Sequence, residues 1–332
     1  LRPRTLPPGV IAPEDRRRVR LIVNPTASAV STRLRAAVNR ALGDHDLVEV
    51  ETRERNHASE LAREAAAEGF DAVAVLGGDG TVNEAANGLL AHDGQTALAP
   101  LPGGSTNVFA RTMGLPRHAD DAAARLADAL AAGSVRTVPV GWANSRAFLF
   151  HVGIGFDAAV VEQVERRSTL KRKIGQAIFV YAAFATWFRH YDHSRPRFLV
   201  EFDDGTTVDD GYFGICCNTN PYTYLGPRPL NIAPGATGDR GLAMVTLRKL
   251  KVGPLLGVTG RALGKGERVG RHRHVDLRRD QARRVVRGHG PVPWQADGDY
   301  MGEAEELVLT SEPHRLRVVV PLGNATVPGS EP

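Results

Sequence analysis

The residues best suited to chemistry form a glycine-rich stretch after the apolar residues 72–76, Gly77-Gly78-Asp79-Gly80-Thr81-Val82-Asn83. The change from β-branched residues to glycines and then to helix formers predicts a strand, a tight turn and a helix. Glycines permit positive φ and let an anion approach the backbone N–H groups, and the new helix directs its positive dipole end to the same place. Thr81 is placed to cap this helix, with Glu84 completing a capping box. The stretch predicts a phosphate-binding turn; an ordinary βα turn whose glycines only permit the bend is the alternative.

A second glycine-rich turn, residues 102–107, follows the predicted strand 96–101 and opens another helix. Two such turns at successive strand ends could grip one polyphosphate from two sides. Asn24 and Thr52 end two further predicted strands. Because ligands of parallel α/β sheets bind where strands end at their carboxyl edges, these residues are predicted to lie at one site.

Two carboxylates flank a glycine near the end of the chain, in Asp297-Gly298-Asp299. A carboxylate near a bound triphosphate can accept a proton from an attacking hydroxyl or help to hold Mg²⁺. A plain Asp-Gly hairpin turn explains the local sequence equally well. Alternation also places His272, His274 and Asp276 on one face of a predicted strand, where they could bind a metal ion. Because no further ligands lie nearby, a solvated polar face is the favoured interpretation.

The elements that must position these residues fall into two groups. Alternating strands and helices over residues 18–138 predict an α/β domain with a parallel sheet. Residues 139–314 contain short β-branched segments between Gly, Asp and Pro, which predict a mostly antiparallel second domain interrupted by one helix at 170–191. That helix is expected to pack over a sheet, with a membrane-facing edge as the alternative. Residues 1–17 are expected to be a disordered lead-in and 323–332 a tail.

Composition narrows the class of protein. Cys216 and Cys217 are adjacent in a predicted strand, so their side chains point to opposite faces and are expected to be reduced packing residues. The net charge of +5 is unevenly spread, and the basic clusters could contact nucleic acid, an anionic membrane or only water. One such cluster contains Arg278, Arg279, Arg283, Arg284 and Arg287. Apolar runs are too short to span a bilayer and the N-terminus has no signal pattern, so a cytosolic protein is expected.

With these pieces placed, residues 18–320 resemble the diacylglycerol kinase catalytic-domain family, which includes bacterial lipid kinases and sphingosine kinases. The most specific element is residues 77–84, supported by Asn24-Pro25, residues 102–111 and 153–157, and Asp297-Gly298. The resemblance implies a nucleotide-binding α/β domain at residues 18–138, completed by residues 315–322, and a β-sandwich-like lipid-substrate domain at residues 139–314. It implies transfer of the γ-phosphoryl group of ATP to a lipid hydroxyl.

Carried over residue by residue, the resemblance places nucleotide contacts at Asn24, Thr52, Gly77, Gly78, Asp79, Gly80, Thr81, Val82, Asn83, Gly104 and Ser105. It assigns catalysis to Asp297 and Asp299 as base and acidic partner, with Asp79 acting on the phosphates through Mg²⁺. The chain departs from the family at Val108 and Pro139, where the family commonly has Asp, and at Asp299, where it has Glu. Arg240-Gly241 stands where bacterial members have the Asp-Gly of a structural Mg²⁺ site, which leaves Asp239 as the shifted candidate ligand.

The sequence thus predicts an ATP- and Mg²⁺-dependent kinase of diacylglycerol or a similar lipid. The protein is expected to be cytoplasmic and to associate peripherally with an anionic membrane surface. No nucleic-acid partner is expected, and a homodimer is left open. Two alternatives stay open: an NAD kinase, which shares the Gly-Gly-Asp-Gly-Thr loop, and a nucleotide- or lipid-binding regulator with weakened catalysis, which Val108, Pro139 and Arg240 favour.

Overall fold

The computed structural model describes residues 15–92, 94–155, 194–237 and 239–323. The predicted helix at 170–191, residues 156 and 157 of the predicted motif at 153–157, most of the lead-in and most of the tail lie outside these residues. The chain divides into two compact units: the first runs to Val138 and resumes at His314, and the second is Pro139–Pro313.

The first unit is a parallel sheet with helices. Its strands are β1 (Arg18–Val23), β2 (Asp46–Glu51), β3 (Ala72–Gly77) and β4 (Ala97–Pro102). Its helices are α1 (Thr32–Leu42), α2 (His57–Ala67), α3 (Asp79–Leu90), α4 (Val108–Thr112) and α5 (Ala119–Ala131). The strand order is β2-β1-β3-β4, and every residue of β3 and β4 is buried, as expected for strands covered on both faces.

Strand register brings the loops of the first unit together. Val23 at the end of β1 pairs with Glu51 at the end of β2 and with Leu76 of β3. The next strand keeps this alignment, because Gly77 pairs with Pro102. Four strands therefore end at the same edge of the sheet, and the predicted α/β class is confirmed for this unit.

The second unit is built from antiparallel strands. These are β5 (Val135–Ala143), β6 (Arg146–Phe148), β7 (His151–Gly155), β8 (Phe198–Phe202), β9 (Thr207–Gly211), β10 (Phe213–Cys217), β11 (Thr223–Leu225), β12 (Arg228–Leu230), β13 (Leu242–Leu247), β14 (Val275–Gln281), β15 (Arg283–Ala296) and β16 (Asp299–Val319), with helix α6 (Val252–Ala262). The central order is β14-β13-β10-β7-β15-β16, and the predicted antiparallel class is confirmed.

The two cysteines pack as predicted on opposite faces of β10. Cys216 lies in the core cluster that contains Val152 and Ile154, and Cys217 lies in the cluster that contains Val245. Neither thiol is in a disulfide and both are buried, and burial raises the pKa of the Cys216 thiol. They are apolar packing residues of the second unit.

Two strand predictions differ from the structure. The separate apolar runs at 307–309 and 316–320 predict two closing strands, whereas the structure has a single strand, β16, which continues to Val319 through His314 in a left-handed conformation (φ 50°). The strand expected at 271–276 begins only at Val275, so His272 and His274 precede it. Within the described ranges, no group of three His, Cys, Asp or Glu side chains could hold a metal ion.

Among the helices of the described part of the chain, none has the length and apolar character needed to cross a bilayer.

Candidate active site

Asn24 connects the end of β1 to the beginning of α3. Its backbone N–H donates to the Leu76 carbonyl (3.0 Å), and its Nδ2 donates to Thr81 Oγ1 (2.9 Å). Its Oδ1 accepts from the backbone N–H of Thr26 (3.0 Å), which closes a local turn. The side chain of Asn24 is thus held at the carboxyl edge of the sheet, as the sequence predicted.

The N-terminus of α3 differs from the predicted capping box. The helix begins at Asp79 with Gly78 as its N-cap, and no side chain caps it. Thr81 lies inside the first turn, where its hydroxyl accepts the Asn24 bond. The capping role predicted for Thr81 and Glu84 is therefore wrong. Val82 N–H makes the first helical bond, to the Gly78 carbonyl (3.1 Å), so the preceding N–H groups of the helix have no partner within it.

The two glycine turns pack backbone against backbone. Gly103 N–H donates to the Gly77 carbonyl (2.8 Å). A Cβ on Gly103 would lie 2.8 Å from Gly77 N, and a Cβ on Gly104 would lie 2.7 Å from Gly78 Cα. None of these glycines has the positive φ that the sequence suggested. Glycine is required here because the turns approach each other too closely for a side chain.

Asp79 ties the first turn to the second. Its Oδ1 accepts from Phe109 N–H (3.1 Å) and its Oδ2 from Thr106 Oγ1 (3.2 Å). Burial of the carboxylate raises the pKa of Asp79, and hydrogen bonds from the backbone N–H groups of Val108 and Phe109 oppose that shift. The carboxylate thus has a structural task in addition to the phosphate role that is predicted for it.

Asn107 is a site residue that the sequence did not single out. It takes a left-handed conformation (φ 49°) just before α4. Its Oδ1 accepts from Gly104 N–H (2.8 Å) and its Nδ2 donates to the Gly104 carbonyl (2.9 Å), so it closes the second turn from both sides. An Asn that follows a glycine turn and precedes a helix was the available signal, since Asn tolerates this backbone conformation.

The other predicted nucleotide-contacting residues have different surroundings. Thr52 follows β2 at the same edge, and its N–H donates to the Val23 carbonyl (2.9 Å). Val82 and Asn83 are buried within α3, and Asn83 Oδ1 accepts from Asn87 Nδ2 (3.1 Å). Ser105 lies in the second turn and is exposed. Nucleotide contacts by these residues stay a prediction.

A cavity of about 300 Å³ in the first unit lies away from the turns. It is lined by residues that include His92, Thr96, Arg315 and Arg317. Thr96 precedes β4, whereas the glycine turns follow the carboxyl ends of β3 and β4. This cavity is therefore at the opposite edge of the sheet from the candidate phosphate site.

In the second unit, Asp297 and Gly298 form a two-residue hairpin turn. Strand β15 ends at Ala296 and β16 begins at Asp299, which pairs with Ala296. Asp297 and Gly298 both have positive φ (50° and 88°), as in a type I′ turn. The hairpin interpretation of the sequence thus describes the backbone, while the catalytic role stays a prediction.

The two carboxylates of this hairpin lie in different environments. Asp297 is buried, and its oxygens accept from three backbone N–H groups, those of Leu149 (2.6 Å), Phe150 (2.9 Å) and His151 (3.0 Å). Asp299 is half-buried. The carboxylate of Asp297 therefore fixes the segment between β6 and β7, and Asp299 is the more accessible of the two.

The predicted metal ligand Asp239 is exposed beside exposed Arg240. A single exposed carboxylate next to a cation does not fit a Mg²⁺ site of its own, because Mg²⁺ requires several oxygen ligands in near-octahedral geometry. Among the described residues, Asp239 is not part of any group of three His, Cys, Asp or Glu side chains that could hold a metal ion.

His151, next to this segment, predicts a pH dependence of stability. Its ring packs against Tyr222 (centroids 4.4 Å apart), and burial lowers the pKa of His151 to about 3 from 6.5. Because the folded state holds the neutral ring, its contribution to stability is complete above pH 6.5 and is lost as pH falls towards 3. We expect wild-type stability, measured by urea unfolding, to fall over this range more steeply than that of His151→Gln.

The exposed His289 supplies the control for this pH dependence. His289→Gln should follow the wild-type curve across the same range. Parallel curves for the wild type and His151→Gln would contradict the effect assigned to burial of His151.

Crystal structures of two Bacillus anthracis proteins share this fold. One aligns over 96% of this chain and 99% of its own, with a TM-score of 0.72 and 22% identity. The second, described as a diacylglycerol kinase, aligns over 92% of this chain and 97% of its own, with a TM-score of 0.67 and 20% identity. The chain, with its α/β unit and its antiparallel unit, therefore has the fold of these two structures.

Residues 18–143 match the model of the diacylglycerol kinase catalytic domain. A Bacillus subtilis protein named diacylglycerol kinase is 36% identical over 122 residues, which are 37% of this chain and 39% of the relative. A Pseudomonas aeruginosa protein named probable lipid kinase YegS-like is 32% identical over 185 residues, 55% of this chain and 58% of the relative. The matches thus span roughly half of the relatives or less. The matched family domain contains both glycine turns.

Proposed function

We propose that the protein is a lipid kinase that transfers the γ-phosphoryl group of ATP to the hydroxyl of diacylglycerol or a similar lipid. The observation that carries this proposal is the pair of linked glycine turns. They adjoin the open N-terminus of α3, and they lie within the segment that matches a diacylglycerol kinase catalytic domain. Such a helix end binds phosphate through its N–H groups and its dipole.

In this proposal the first unit binds the phosphates of ATP. The N–H groups at the start of α3 and in the turns donate to phosphate oxygens and stabilise the charge that develops during transfer. Asp79 would hold a bound Mg²⁺ ion, which would neutralise part of the phosphate charge. The turns contribute one carboxylate, Asp79, and kinase Mg²⁺ is held by one or two carboxylates together with phosphates, so this part of the chain fits the ion.

Asp299 is the preferred proton acceptor for the lipid hydroxyl. Three backbone N–H groups already donate to the two oxygens of Asp297, which leaves this carboxylate little further acceptor capacity. Half-buried Asp299 has greater access to a substrate. Asp297 then acts as a positioning residue for the segment at 149–151.

The test is a transfer assay with γ-labelled ATP and a panel of acceptors: diacylglycerol, monoacylglycerol, sphingosine and NAD. We expect label in a lipid product and greatest transfer to diacylglycerol or a lipid of similar structure. ATP binding without transfer to any acceptor would contradict the proposed activity.

Two alternatives have specific motivations and distinct outcomes in this assay. The Gly-Gly-Asp-Gly-Thr loop motivates an NAD kinase, which would label NAD in place of lipid. Val108 and Pro139, apolar where the family commonly has Asp, motivate a regulator with weakened catalysis, which would bind ATP or lipid without turnover. Both residues are buried, and the Pro139 carbonyl accepts from Asn218 Nδ2 (3.0 Å).

A further inference from the structure

Helix α6 exposes an apolar stripe. Val252 is 54% exposed, Leu256 66% and Leu263, at the C-cap, 40%. At the helical spacing of about 100° per residue these three side chains lie within about 40° of one another. They are three of the seven large apolar side chains that are exposed in the described residues. We refer to Val252, Leu256 and Leu263 as the α6 stripe.

The stripe has no part in holding the helix in place. Leu255 attaches α6 to a cluster with Leu247 and Leu250, and Ala262 belongs to the cluster that contains Cys217. These buried side chains lie on a different side of the helix from the stripe. The exposed apolar area is therefore available to a partner.

The surroundings of the stripe are basic. Residues 249–271 contain six Lys or Arg residues and one acidic residue, Glu267. Lys251 precedes the helix and Lys265 follows it, both exposed, and neither has an ion pair with a carboxylate in the described part of the chain. Cations at both ends of an exposed apolar stripe match an anionic lipid surface, since the apolar groups enter the acyl boundary and the cations stay at the headgroups.

The arginine-rich stretch that the sequence suggested for lipid headgroups is less suitable. Arg284 is buried and donates to the Leu242 carbonyl (2.8 Å), and Arg287 pairs with Glu201 and Glu306. Arg278 pairs with Asp276 (3.1 Å). Arg278 and Arg287 are thus already paired with carboxylates and Arg284 is buried, so α6 is the stronger candidate for contact with headgroups.

We propose that the α6 stripe, with Lys251 and Lys265, docks the protein on an anionic membrane surface. This inference rests on the proposed lipid substrate, which is found in such a surface. Docking through α6 would explain why apolar side chains are left exposed beside uncompensated cations. It requires neither a transmembrane helix nor a lipid anchor.

The first experiment measures binding of the full chain to vesicles by co-sedimentation without ATP. We expect binding to phosphatidylcholine vesicles that contain phosphatidylglycerol, weaker binding to pure phosphatidylcholine, and loss of binding as salt is raised. Leu256→Asp should weaken binding about tenfold or more, because it removes an inserted apolar side chain and adds a negative charge. The double variant Lys251→Glu, Lys265→Glu should weaken binding to anionic vesicles and leave binding to pure phosphatidylcholine vesicles unchanged.

Leu225→Asp is the matched control, because Leu225 is 53% exposed on strand β11 of the same unit. It should bind vesicles like the wild type. Equal binding by Leu256→Asp and Leu225→Asp would overturn the proposal, as would a wild type that does not bind anionic vesicles. A Leu256→Asp variant that changes only the oligomeric state would assign the stripe to a second copy of the chain. A Leu256→Asp variant whose vesicle-free monomer is destabilised in urea unfolding, while Leu225→Asp is not, would assign it to another segment of the same chain.

A second readout separates docking from catalysis. With a short-chain diacylglycerol that is dissolved as monomers, Leu256→Asp should retain wild-type activity, while its activity on vesicle-borne diacylglycerol should fall about tenfold or more. A protein that binds vesicles through α6 yet phosphorylates no lipid would refute the proposed function and leave the docking surface intact. Equal losses on monomeric and vesicle-borne substrate would refute the docking surface.

Discussion

Gly104→Ala is expected to lower the free energy of unfolding by about 1–3 kcal/mol and to abolish or strongly weaken ATP binding. The added Cβ would lie 2.7 Å from Gly78 Cα and 3.1 Å from Asn107 Oδ1. The first neighbour is backbone, so the two turns must separate to admit it. Because the second turn packs against the turn that leads into the N-terminus of α3, their separation disturbs the proposed phosphate site. Urea unfolding and a calorimetric ATP titration measure the two effects.

Gly78→Ala is the matched control on the opposite side of the same contact. Its Cβ would lie 3.6 Å from Gly104 Cα, an ordinary contact, and its backbone (φ −85°, ψ 178°) suits alanine. Alanine is a poorer N-cap residue than glycine, which lowers stability, whereas it reduces the entropy of the unfolded chain, which raises stability. Because these effects oppose each other, stability should change by less than about 1 kcal/mol. Equal destabilisation by the two substitutions would show that the close approach of the turns is not what requires glycine at position 104.

The alternation of strands and helices was predictable because each element carries its own pattern. Residues 18–138 switch between short apolar runs and helical spacing, and that switching alone indicates a parallel sheet covered by helices. The adjacent cysteines were equally tractable, since side chains alternate along a strand. The continuity of strand β16 was not predictable, because the strand passes through His314, a left-handed residue in a segment whose sequence predicts a break.

The candidate phosphate site was predictable in position but not in its internal contacts. Glycines after two apolar runs mark the turns, yet the reason for glycine lies in a contact between turns that are 25 or more residues apart in the chain. The same is true of Thr81, whose hydroxyl is used by Asn24 from another strand end and not by its own helix. Local capping rules cannot anticipate a partner that the strand order supplies.

The Asp-Gly-Asp hairpin shows the same division between local pattern and tertiary contact. The Asp-Gly pair indicates a two-residue turn, and the backbone has one. Nothing local indicates that Asp297 is buried against three backbone N–H groups from residues 149–151, almost half the chain away. This contact gives the two carboxylates separate tasks, and the tasks can be distinguished by substitution.

Asp297→Asn should lower the free energy of unfolding by about 2–4 kcal/mol although it changes little in volume. With the amide oxygen retained for Phe150 and His151, the new amide nitrogen would face the N–H of Leu149, so two buried donors would meet without an acceptor. With the amide reversed, two N–H groups would lose their acceptor. Urea unfolding of the wild type and the variant at neutral pH measures the difference.

Asp299→Asn, two residues away and half-buried, should change stability by less than about 1 kcal/mol and lower kcat by about 100-fold or more, because it removes the proposed proton acceptor. The two variants therefore separate positioning from proton transfer, provided that activity is measured where Asp297→Asn remains folded. Under those conditions Asp297→Asn should retain more activity than Asp299→Asn, because the carboxylate of Asp297 is not the proposed proton acceptor. The reverse order, with a stable and inactive Asp297→Asn beside an active Asp299→Asn, would assign the base to Asp297 and show that three backbone donors do not prevent a carboxylate from accepting the hydroxyl proton.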